Sequence, residues 1–322
     1  MQCLSVQGDK EMKHLFIINP AAGKYDQTGE FVSRIRAEFE GSGREYEIAV
    51  SKEPGDCTRI ARTAAQTGQT LRIYACGGDG TLNEVISGAY CYENAAVTHF
   101  PGGSGNDFIK IFSDPAAFKN LSALTDGEEA RLDLIRCGDS VSANICSIGI
   151  DARIGTEIAK YKRLPLVTGN GAYLISTGIN VVRGVHDHYI VEVDGERIDT
   201  RLSLICIANG RWYGGSFNPT PDAEPDDGIL DVLLVKAVSR LTVAKIIGKY
   251  KAGQYRDFPD VIRHLRCRRI RVQSDRDSVI NLDGEARFSA DAEFTVLPKA
   301  LRFFYPRGLT YHSAVREPAP AI

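Results

Sequence analysis

The sequence lacks several features that would assign it to whole classes of protein. No stretch is apolar for long enough to cross a bilayer, and the first residues contain no run of signal-peptide length, so we expect neither a membrane span nor export. The net charge of -2 excludes nucleic-acid binding through a large basic excess. The eight cysteines form no CxxC pair and several lie in apolar runs, which indicates a reducing cytoplasm rather than a disulfide framework.

The sequence also lacks the motifs of metal-dependent hydrolases and of serine-dependent catalysis. The six histidines show no ligand spacing such as HExxH, and no Ser-His-Asp arrangement can be argued. What the sequence has is 43% hydrophobic and 25% charged residues, as in an ordinary globular protein. Its 322 residues are enough for two domains or one large one.

Apolar runs and helical spacings alternate through the first 130 residues. HLFIIN, YEIAV and LRIYAC have strand character, and Phe31, Ile35 and Phe39 recur at helical spacing. This β-α-β-α order predicts a parallel sheet with helices on both faces. We therefore expect an α/β domain over residues 1–130.

From about Arg131 the pattern changes to short alternating strands. One helix is predicted between Ser239, as its N-cap, and Gly253, as its end. We expect an antiparallel β domain over residues 131–298, with the tail of residues 299–322 packing back on the first domain. Three dipeptides between apolar stretches predict hairpin turns. They are Gly138-Asp139, Asp194-Gly195 and Asp283-Gly284.

Three glycine-rich loops follow strands of the first domain. They are NPAAGK at residues 19–24, GGDGT at residues 77–81 and PGGSGND at residues 101–107. Glycine lets backbone N–H groups approach a phosphate, but each loop alone is also explained as a turn, and none is a Walker A or GxGxxG sequence. Because ligands bind at the carboxyl ends of parallel strands, the three together predict one shared phosphate site.

The segment CGGDGTLNEVISG, residues 76–88, holds an aspartate among its glycines. Thr81 and Glu84 have the spacing of a capping box for the helix that follows. Asp79 would repel a nucleotide unless a cation such as Mg²⁺ stood between them, so this carboxylate predicts a metal, and Asp107 would share that role. Two aspartates in tight turns are the alternative interpretation.

Acidic residues recur in the second half. PDAEPDDGILDV places four carboxylates before a strand, which suits either a solvated turn or a hard divalent cation. Asp283 and Glu285 of NLDGEARF are candidate general bases. However, VDGERI at residues 193–198 carries the same Asp-Gly-Glu, and a hairpin turn explains either copy. The triplet alone does not distinguish them.

Two basic stretches are candidates for contact with anionic lipid head groups, KYKRLP at residues 160–165 and RHLRCRRIR at residues 263–271. In the second, arginines interleave with apolar residues at strand spacing, so a solvated strand face is the favoured interpretation. The apolar RLPLV after the first stretch is a candidate for membrane contact, and loop packing explains it equally well.

In order, NPAAGK, GGDGTLNEV, PGGSGNDF, PDAEPDDGILDV and LDGE resemble the diacylglycerol kinase catalytic family, particularly its soluble bacterial lipid kinases, to which sphingosine kinases are related. The resemblance spans nearly the whole chain. It implies an α/β domain and a C-terminal β-sandwich flanking an ATP cleft, and transfer of the γ-phosphate to a membrane lipid hydroxyl, with diacylglycerol giving phosphatidic acid as the first expectation. The implied nucleotide contacts are Asn19, Pro20, Ala21, Ala22, Gly23, Ser51, Gly78, Asp79, Gly80, Thr81, Leu82, Asn83, Glu84, Ser104 and Asn106.

The resemblance also implies the reactive groups. The second Asp-Gly-Glu takes the family's position near the C-terminus, so Glu285 is the expected general base, with Asp283 beside it. A structural Mg²⁺ is expected in the acidic loop. Its implied ligands are the Asp227 carboxylate and the backbone oxygens of Glu224 and Ile229, with Asp79 and Asp107 linked to the ion through water.

The implied cofactors are ATP and Mg²⁺, and the implied partner is a membrane lipid; nucleic acid is not expected. We expect a cytoplasmic protein with transient contact at the inner face of the membrane, and a homodimer is left open. Two positions depart from the family's pattern. Ser104 stands where threonine is common, which keeps a hydroxyl, and the residues before Met12 extend past the usual start.

Two other function classes compete. A NAD kinase or phosphofructokinase would share the GGDG loop and use a soluble acceptor, but the G-x-x-N-D loop and the acidic loop fit lipid kinases better. A nucleotide-binding or lipid-binding regulator without turnover would lack Asp79 or an acid of the Asp-Gly-Glu, and both are present. The sequence does not separate diacylglycerol from phosphatidylglycerol, ceramide or an undecaprenyl-type alcohol.

Overall fold

The structure is a computed structural model that describes residues 12–150, 152 and 186–312. These residues divide into two compact units, one running to Leu132 and including Lys299–Tyr311, the other comprising Asp133–Pro298 with His312. No helix within the described ranges is long and apolar enough to cross a membrane. None of the seven cysteines in these ranges forms a disulfide.

Parallel strands form the sheet of the first unit. They are β1 (Lys13–Ile18), β2 (Glu45–Val50), β3 (Leu71–Gly77) and β4 (Ala95–Pro101). They lie in the order β2-β1-β3-β4 with every pair parallel, and Phe303 joins β4 in parallel at Val97. Cys76 pairs with both Ile18 and Phe100, so the segments after β1, β3 and β4 leave the same edge of the sheet.

Helices connect these strands. The first, α1 (Thr28–Phe39), buries the three side chains predicted from its spacing, Phe31, Ile35 and Phe39. The next two are α2 (Asp56–Ala65) and α3 (Asp79–Ala89). They pack closely at Gly88, where an added Cβ would lie 2.4 Å from the Thr58 carbonyl oxygen. That helices cover both faces of the sheet stays a prediction.

A short helix, α4 (Leu121–Thr125), follows two 3₁₀ segments, Phe108–Ile111 and Pro115–Lys119. Asparagine and aspartate begin two of these elements. The Asp114 side chain accepts a hydrogen bond from the Ala116 N–H and the Asn120 side chain accepts one from the Ala123 N–H. These caps satisfy backbone donors that the short helices cannot satisfy themselves.

Antiparallel strands dominate the second unit. They are β5 (Glu128–Cys137), β6 (Ser140–Ser142), β7 (Ile145–Gly149), β8 (Asp187–Val193), β9 (Glu196–Ala208), β10 (Leu230–Lys236), β11 (Ile262–Cys267), β12 (Arg269–Leu282) and β13 (Glu285–Tyr305). The order is β11-β10-β9-β7-β12-β13, and β8 pairs with β9 and β12. Both unit bounds fall inside strands, β5 and β13.

The predicted hairpins and helix of this half are confirmed. Each of the three dipeptides joins two paired antiparallel strands, β5 to β6, β8 to β9 and β12 to β13. The helix α5 (Arg240–Lys251) begins after Ser239, whose side chain accepts a hydrogen bond from the Thr242 N–H, and Gly253 follows its end with a φ of 75°. Buried side chains of α5, Ile246 and Tyr250, pack into an apolar cluster of the unit.

Candidate active site

Three loops at the carboxyl edge of the first unit's sheet lie against one another. Asn19 Nδ2 donates to Thr81 Oγ1 at 3.0 Å, which joins the first loop to the second. The Gly77 carbonyl accepts from the Gly102 N–H at 2.7 Å, which joins the second to the third. Gln27 Nε2, just after the first loop, donates to the Gly102 carbonyl at 2.7 Å. The structure thus brings together the three glycine-rich segments of the sequence.

Glycine is required where the second and third loops touch. A Cβ added at Gly103 would lie 2.5 Å from the Gly78 Cα, and one added at Gly105 would lie 2.6 Å from an Asp79 carboxylate oxygen. Gly80 differs, because it is exposed and an added Cβ would meet nothing within 4 Å. Loop packing therefore explains Gly103 and Gly105 but leaves Gly80 unexplained.

The start of α3 lies in the second loop. Gly78 is its N-cap, so no side chain of that residue caps the helix, and within the described chain no other side chain does. The first backbone bond of the helix runs from the Leu82 N–H to the Gly78 carbonyl at 3.1 Å. The N–H groups of residues 79–81 precede it and carry the partial positive charge of a helix N-terminus.

The predicted capping box is wrong. Thr81 and Glu84 both lie inside α3 rather than at its start. The Glu84 carboxylate instead accepts hydrogen bonds from the N–H groups of Gly55 and Cys57, each at 3.1 Å, where α2 begins. Glu84 reaches that helix because α2 and α3 pack closely, which the spacing of two residues along one helix does not reveal.

Asp79 and Asp107 are adjacent although they belong to different loops. The Asp107 N–H donates to Asp79 Oδ1 at 2.5 Å. Asp107 is only 6% exposed, and its carboxylate pairs with Lys110 Nζ at 2.6 Å. Carboxylate oxygens are the donors that Mg²⁺ prefers, so both side chains suit the predicted ion in kind. Lys110 already neutralises part of the charge.

The remaining predicted contacts differ in exposure. Ser104 is exposed, whereas Ser51 and Asn83 are buried. Asn106 takes a φ of 49° and its Nδ2 donates to the Gly103 carbonyl at 2.7 Å, so this residue closes the third loop on itself. Asparagine tolerates that left-handed backbone better than most residues. In the first loop the Ala21 N–H donates to Asn19 Oδ1 at 3.0 Å.

Carboxylates of the acidic loop are paired with cationic side chains of the second unit. The pairs are Asp222 with Arg256, Glu224 with Arg211 and His312, and Asp227 with Arg266. Ligand atoms of Glu224, Asp226 and His312 lie within 4.8 Å of one another. The loop is thus held by ion pairs in the described structure.

The Asp227 carboxylate is nevertheless less stable in its charged form than an ordinary aspartate. Burial raises its pKa to about 6, Asp231 and Asp133 add to the rise, and Arg266 and the Ile229 N–H oppose it. A divalent cation would relieve this excess of negative charge, and a carboxylate oxygen is the right donor for it. The ligand set implied by the resemblance therefore fits in its chemistry and stays a prediction.

Asp283 and Glu285 lie at the hairpin between β12 and β13. Asp283 has a φ of 48°, and its carboxylate accepts from the N–H groups of Ala143 at 2.8 Å and Ile145 at 3.0 Å. Burial raises the pKa of Asp283 to about 6, while these amides and a serine hydroxyl oppose the rise. Glu285 is exposed, and within the described chain its carboxylate has no hydrogen-bond or ion-pair partner.

Comparison with known families covers nearly the whole chain. Residues 13–137 match the diacylglycerol kinase catalytic domain, and residues 144–305 match the YegS C-terminal NAD kinase beta sandwich-like domain. The chain belongs to the diacylglycerol kinase catalytic-domain family. The resemblance drawn from the ordered loops is confirmed, and so is the two-domain architecture with a sandwich-like C-terminal half.

Relatives of this lipid kinase family match over most of their length. A protein of Chromohalobacter salexigens named "Probable lipid kinase YegS-like" is 29% identical over 301 residues, which are 91% of this chain and 93% of the relative. A crystal structure of a diacylglycerol kinase from Bacillus anthracis str. Sterne shares the fold with a TM-score of 0.67 at 20% identity, covering 92% and 97% of the two chains. Family membership makes the chain a kinase of the lipid-kinase class, with ATP as the implied co-substrate.

The sequence analysis did not identify three side chains that lie close to the predicted site residues. Lys110 lies three residues after Asp107, a spacing that signals an ion pair in a helical turn. His99 interrupts the apolar strand AAVTHFP, which is the signal that was overlooked. Arg266 gives no local signal, because its partner Asp227 lies 39 residues away along the chain.

Four of the five arginines in the basic stretch of residues 263–271 form ion pairs within the second unit. The pairs are Arg263 with Glu196, Arg266 with Asp227, Arg269 with Glu293, and Arg271 with Asp291. These pairs favour the interpretation of a solvated strand face over a lipid-binding patch. KYKRLP and RLPLV lie outside the described residues.

Proposed function

We propose that this protein is an ATP-dependent kinase that transfers the γ-phosphate to the hydroxyl of diacylglycerol. One observation carries the proposal, namely that no side chain of the described residues caps the start of α3, where three loops interlock and Gly80 is exposed at the second helical position. Helix N-termini and glycine-rich loops offer backbone N–H groups to phosphates. Membership in a lipid kinase family supports a lipid acceptor.

In this proposal the first unit binds the nucleotide and Glu285 accepts the proton of the lipid hydroxyl. Phosphoryl transfer depends mainly on positioning and on neutralising phosphate charge. A general base must be able to reach the substrate, and the Glu285 carboxylate is exposed and has no partner among the described residues. Asp283, whose carboxylate binds backbone amides, would position the hairpin that carries Glu285.

Mg²⁺ would supply further charge neutralisation at the phosphates when bound. The proposed ligands of the structural ion are the Asp227 carboxylate and the backbone oxygens of Glu224 and Ile229, with Asp79 and Asp107 linked through water. The pKa of Asp227, raised by burial, supports a cation there.

The setting of the reaction is part of the proposal. We propose that the two units are the functional domains and that the protein works in the cytoplasm, visiting the inner face of the membrane where its lipid resides. A vesicle-flotation assay with anionic and neutral lipids would test the membrane contact.

Two glycines make a matched test of the phosphate site. Gly80 and Gly29 are each the second residue of a helix, both are exposed, and an added Cβ meets nothing within 4 Å at either. Alanine should favour either helix by up to about 1 kcal/mol. Because Cβ atoms tilt toward the helix N-terminus, only Gly80→Ala should obstruct a phosphate there.

We expect Gly80→Ala to raise the Kd for ATP by about tenfold or more, equivalent to about 1.4 kcal/mol, and Gly29→Ala to leave it unchanged. Isothermal titration calorimetry with ATP and Mg²⁺ measures both, and thermal unfolding verifies that both variants are folded. If Gly80→Ala and the wild-type protein bind ATP with equal affinity, the start of α3 is not the phosphate site and the proposal loses its support.

A further inference from the structure

His99 is a polar side chain in a strand that is buried along its whole length. It lies on β4 with 0% exposure, within the buried segment AAVTHFP. A buried ring nitrogen costs free energy unless it has a partner. Within the described chain, Nε2 has one, the Gly77 carbonyl at 2.9 Å, and Nδ1 has none.

This hydrogen bond fixes the state of the ring. A carbonyl oxygen only accepts hydrogen bonds, so Nε2 must carry the proton and donate it. Burial lowers the pKa of His99 and so favours the neutral Nε2–H tautomer, while the carboxylate of Asp79 and the Gly77 carbonyl oppose the decrease. The geometry makes His99 a donor to one backbone oxygen.

The oxygen that His99 binds is the junction of two loops. The Gly77 carbonyl also accepts from the N–H groups of Gly102 at 2.7 Å and Gly103 at 3.1 Å. Gly77 ends β3, and the next residue, Gly78, is the N-cap of α3. The hydrogen bond that His99 donates to this carbonyl therefore helps to hold both the start of α3 and the third loop in position.

We infer that His99 is a positioning residue of the phosphate-binding loops, acting through the Gly77 carbonyl. This inference rests on the proposed function, since it requires that the loops bind a nucleotide. His99 itself touches no part of the proposed substrate. Its role is to hold the peptide from which the N–H groups of α3 project, so its loss should weaken nucleotide binding more than it changes the fold.

Two substitutions separate the donor from the ring. His99→Phe keeps a ring and removes the donor, whereas His99→Gln keeps an amide N–H at nearly the same reach. Because one hydrogen bond contributes about 0.5–1.5 kcal/mol, we expect His99→Phe to raise the Kd for ATP about 3- to 10-fold and His99→Gln to stay within about twofold of the wild-type protein. Calorimetry with ATP and Mg²⁺ measures each, alongside thermal unfolding.

The outcomes are distinguishable. If the wild-type protein and His99→Phe bind ATP with equal Kd, this inference alone is overturned. It is also overturned if His99→Gln raises the Kd as much as His99→Phe does. A wild-type protein that binds no ATP defeats the proposed function, and this inference with it.

Should His99→Phe fail to fold, histidine ¹⁵N NMR of the wild-type protein decides. We expect the Nε2–H tautomer, and a shift of its signal when ATP is added. An Nδ1–H tautomer, or a signal indifferent to ATP, overturns the inference.

Discussion

The second unit contains the same Asp-Gly-Glu triplet twice, and the two copies fold alike. Asp194 and Asp283 both take a positive φ, 43° and 48°, and a glycine of positive φ follows each. Each aspartate also accepts backbone N–H groups from another strand region. Asp194 binds those of Arg268 and Arg269, at 3.1 and 3.0 Å, as Asp283 binds those of three consecutive residues before and within β7. The aspartate is thus an anchor for a hairpin turn in both copies.

The glutamates differ. Glu196 of the first copy pairs with Arg263 at 3.0 Å, whereas Glu285 of the second has no such partner within the described chain. The triplet therefore specifies a turn in both copies. The copies differ in whether the glutamate is ion-paired, and we propose that this difference leaves Glu285 available as the general base. Matched substitutions in the two copies test that difference.

The largest effect should come from removing each glutamate's charge. Glu285→Gln should lower kcat by about 10²- to 10⁴-fold, the usual contribution of a general base, with little change in the Kd for ATP. Glu196→Gln is the matched control and should keep wild-type kcat. Steady-state assays on lipid micelles measure both. Similar rates in the two variants would erase the proposed difference between the copies.

The next largest effect concerns the anchoring aspartates. Asp283→Asn replaces an acceptor by an amide that must face backbone N–H donors, so it should destabilise the fold by about 1–3 kcal/mol. Asp194→Asn should cost less, because Asp194 is exposed and water can replace its bonds. Urea unfolding followed by circular dichroism gives both values. A larger loss at Asp194 would contradict the account.

The raised pKa of Asp283 predicts a pH dependence. Its pKa of about 6 exceeds the ordinary 3.8, so between these values the folded protein binds this proton more tightly than the unfolded chain does. Stability from this group is therefore fully present below about pH 4 and is lost as the pH rises to about 6.

The advantage of the wild-type protein over Asp283→Asn should accordingly shrink from pH 4 to pH 7. Asp227 has a raised pKa in the same window, but it is present in both proteins and cancels in the difference. Unfolding free energies of both proteins across this range measure the effect. An advantage that grows with pH would show that the amide hydrogen bonds outweigh burial at Asp283.

The smallest effect should follow from releasing Glu196. Arg263→Met removes its ion-pair partner, and because exposed pairs contribute about 0–1 kcal/mol, stability should change little. The double variant Arg263→Met with Glu285→Gln should remain inactive, since a free glutamate in the first copy lacks the site. Recovered turnover in the double variant would mean that pairing alone distinguishes the copies.

The sequence was informative where contacts are local. The hairpin dipeptides, the Ser239 cap of α5 and the buried face of α1 all follow from residues a few positions apart. The predicted capping box was wrong because the Glu84 carboxylate accepts a hydrogen bond at the start of a neighbouring helix. Arg266 was missed because its partner Asp227 is distant in the sequence. Such contacts depend on how elements pack, which residue spacing does not encode.

Transfer of the ATP γ-phosphate to a lipid hydroxyl is the activity that we propose for this protein. The direct measurement incubates the wild-type protein with γ-labelled ATP, Mg²⁺ and mixed micelles containing diacylglycerol, phosphatidylglycerol, ceramide or an undecaprenyl-type alcohol, with NAD and fructose 6-phosphate as soluble controls. We expect label in the lipid fraction, with diacylglycerol as the acceptor. Label in a soluble control alone, or no transfer by a protein that binds ATP, would contradict it.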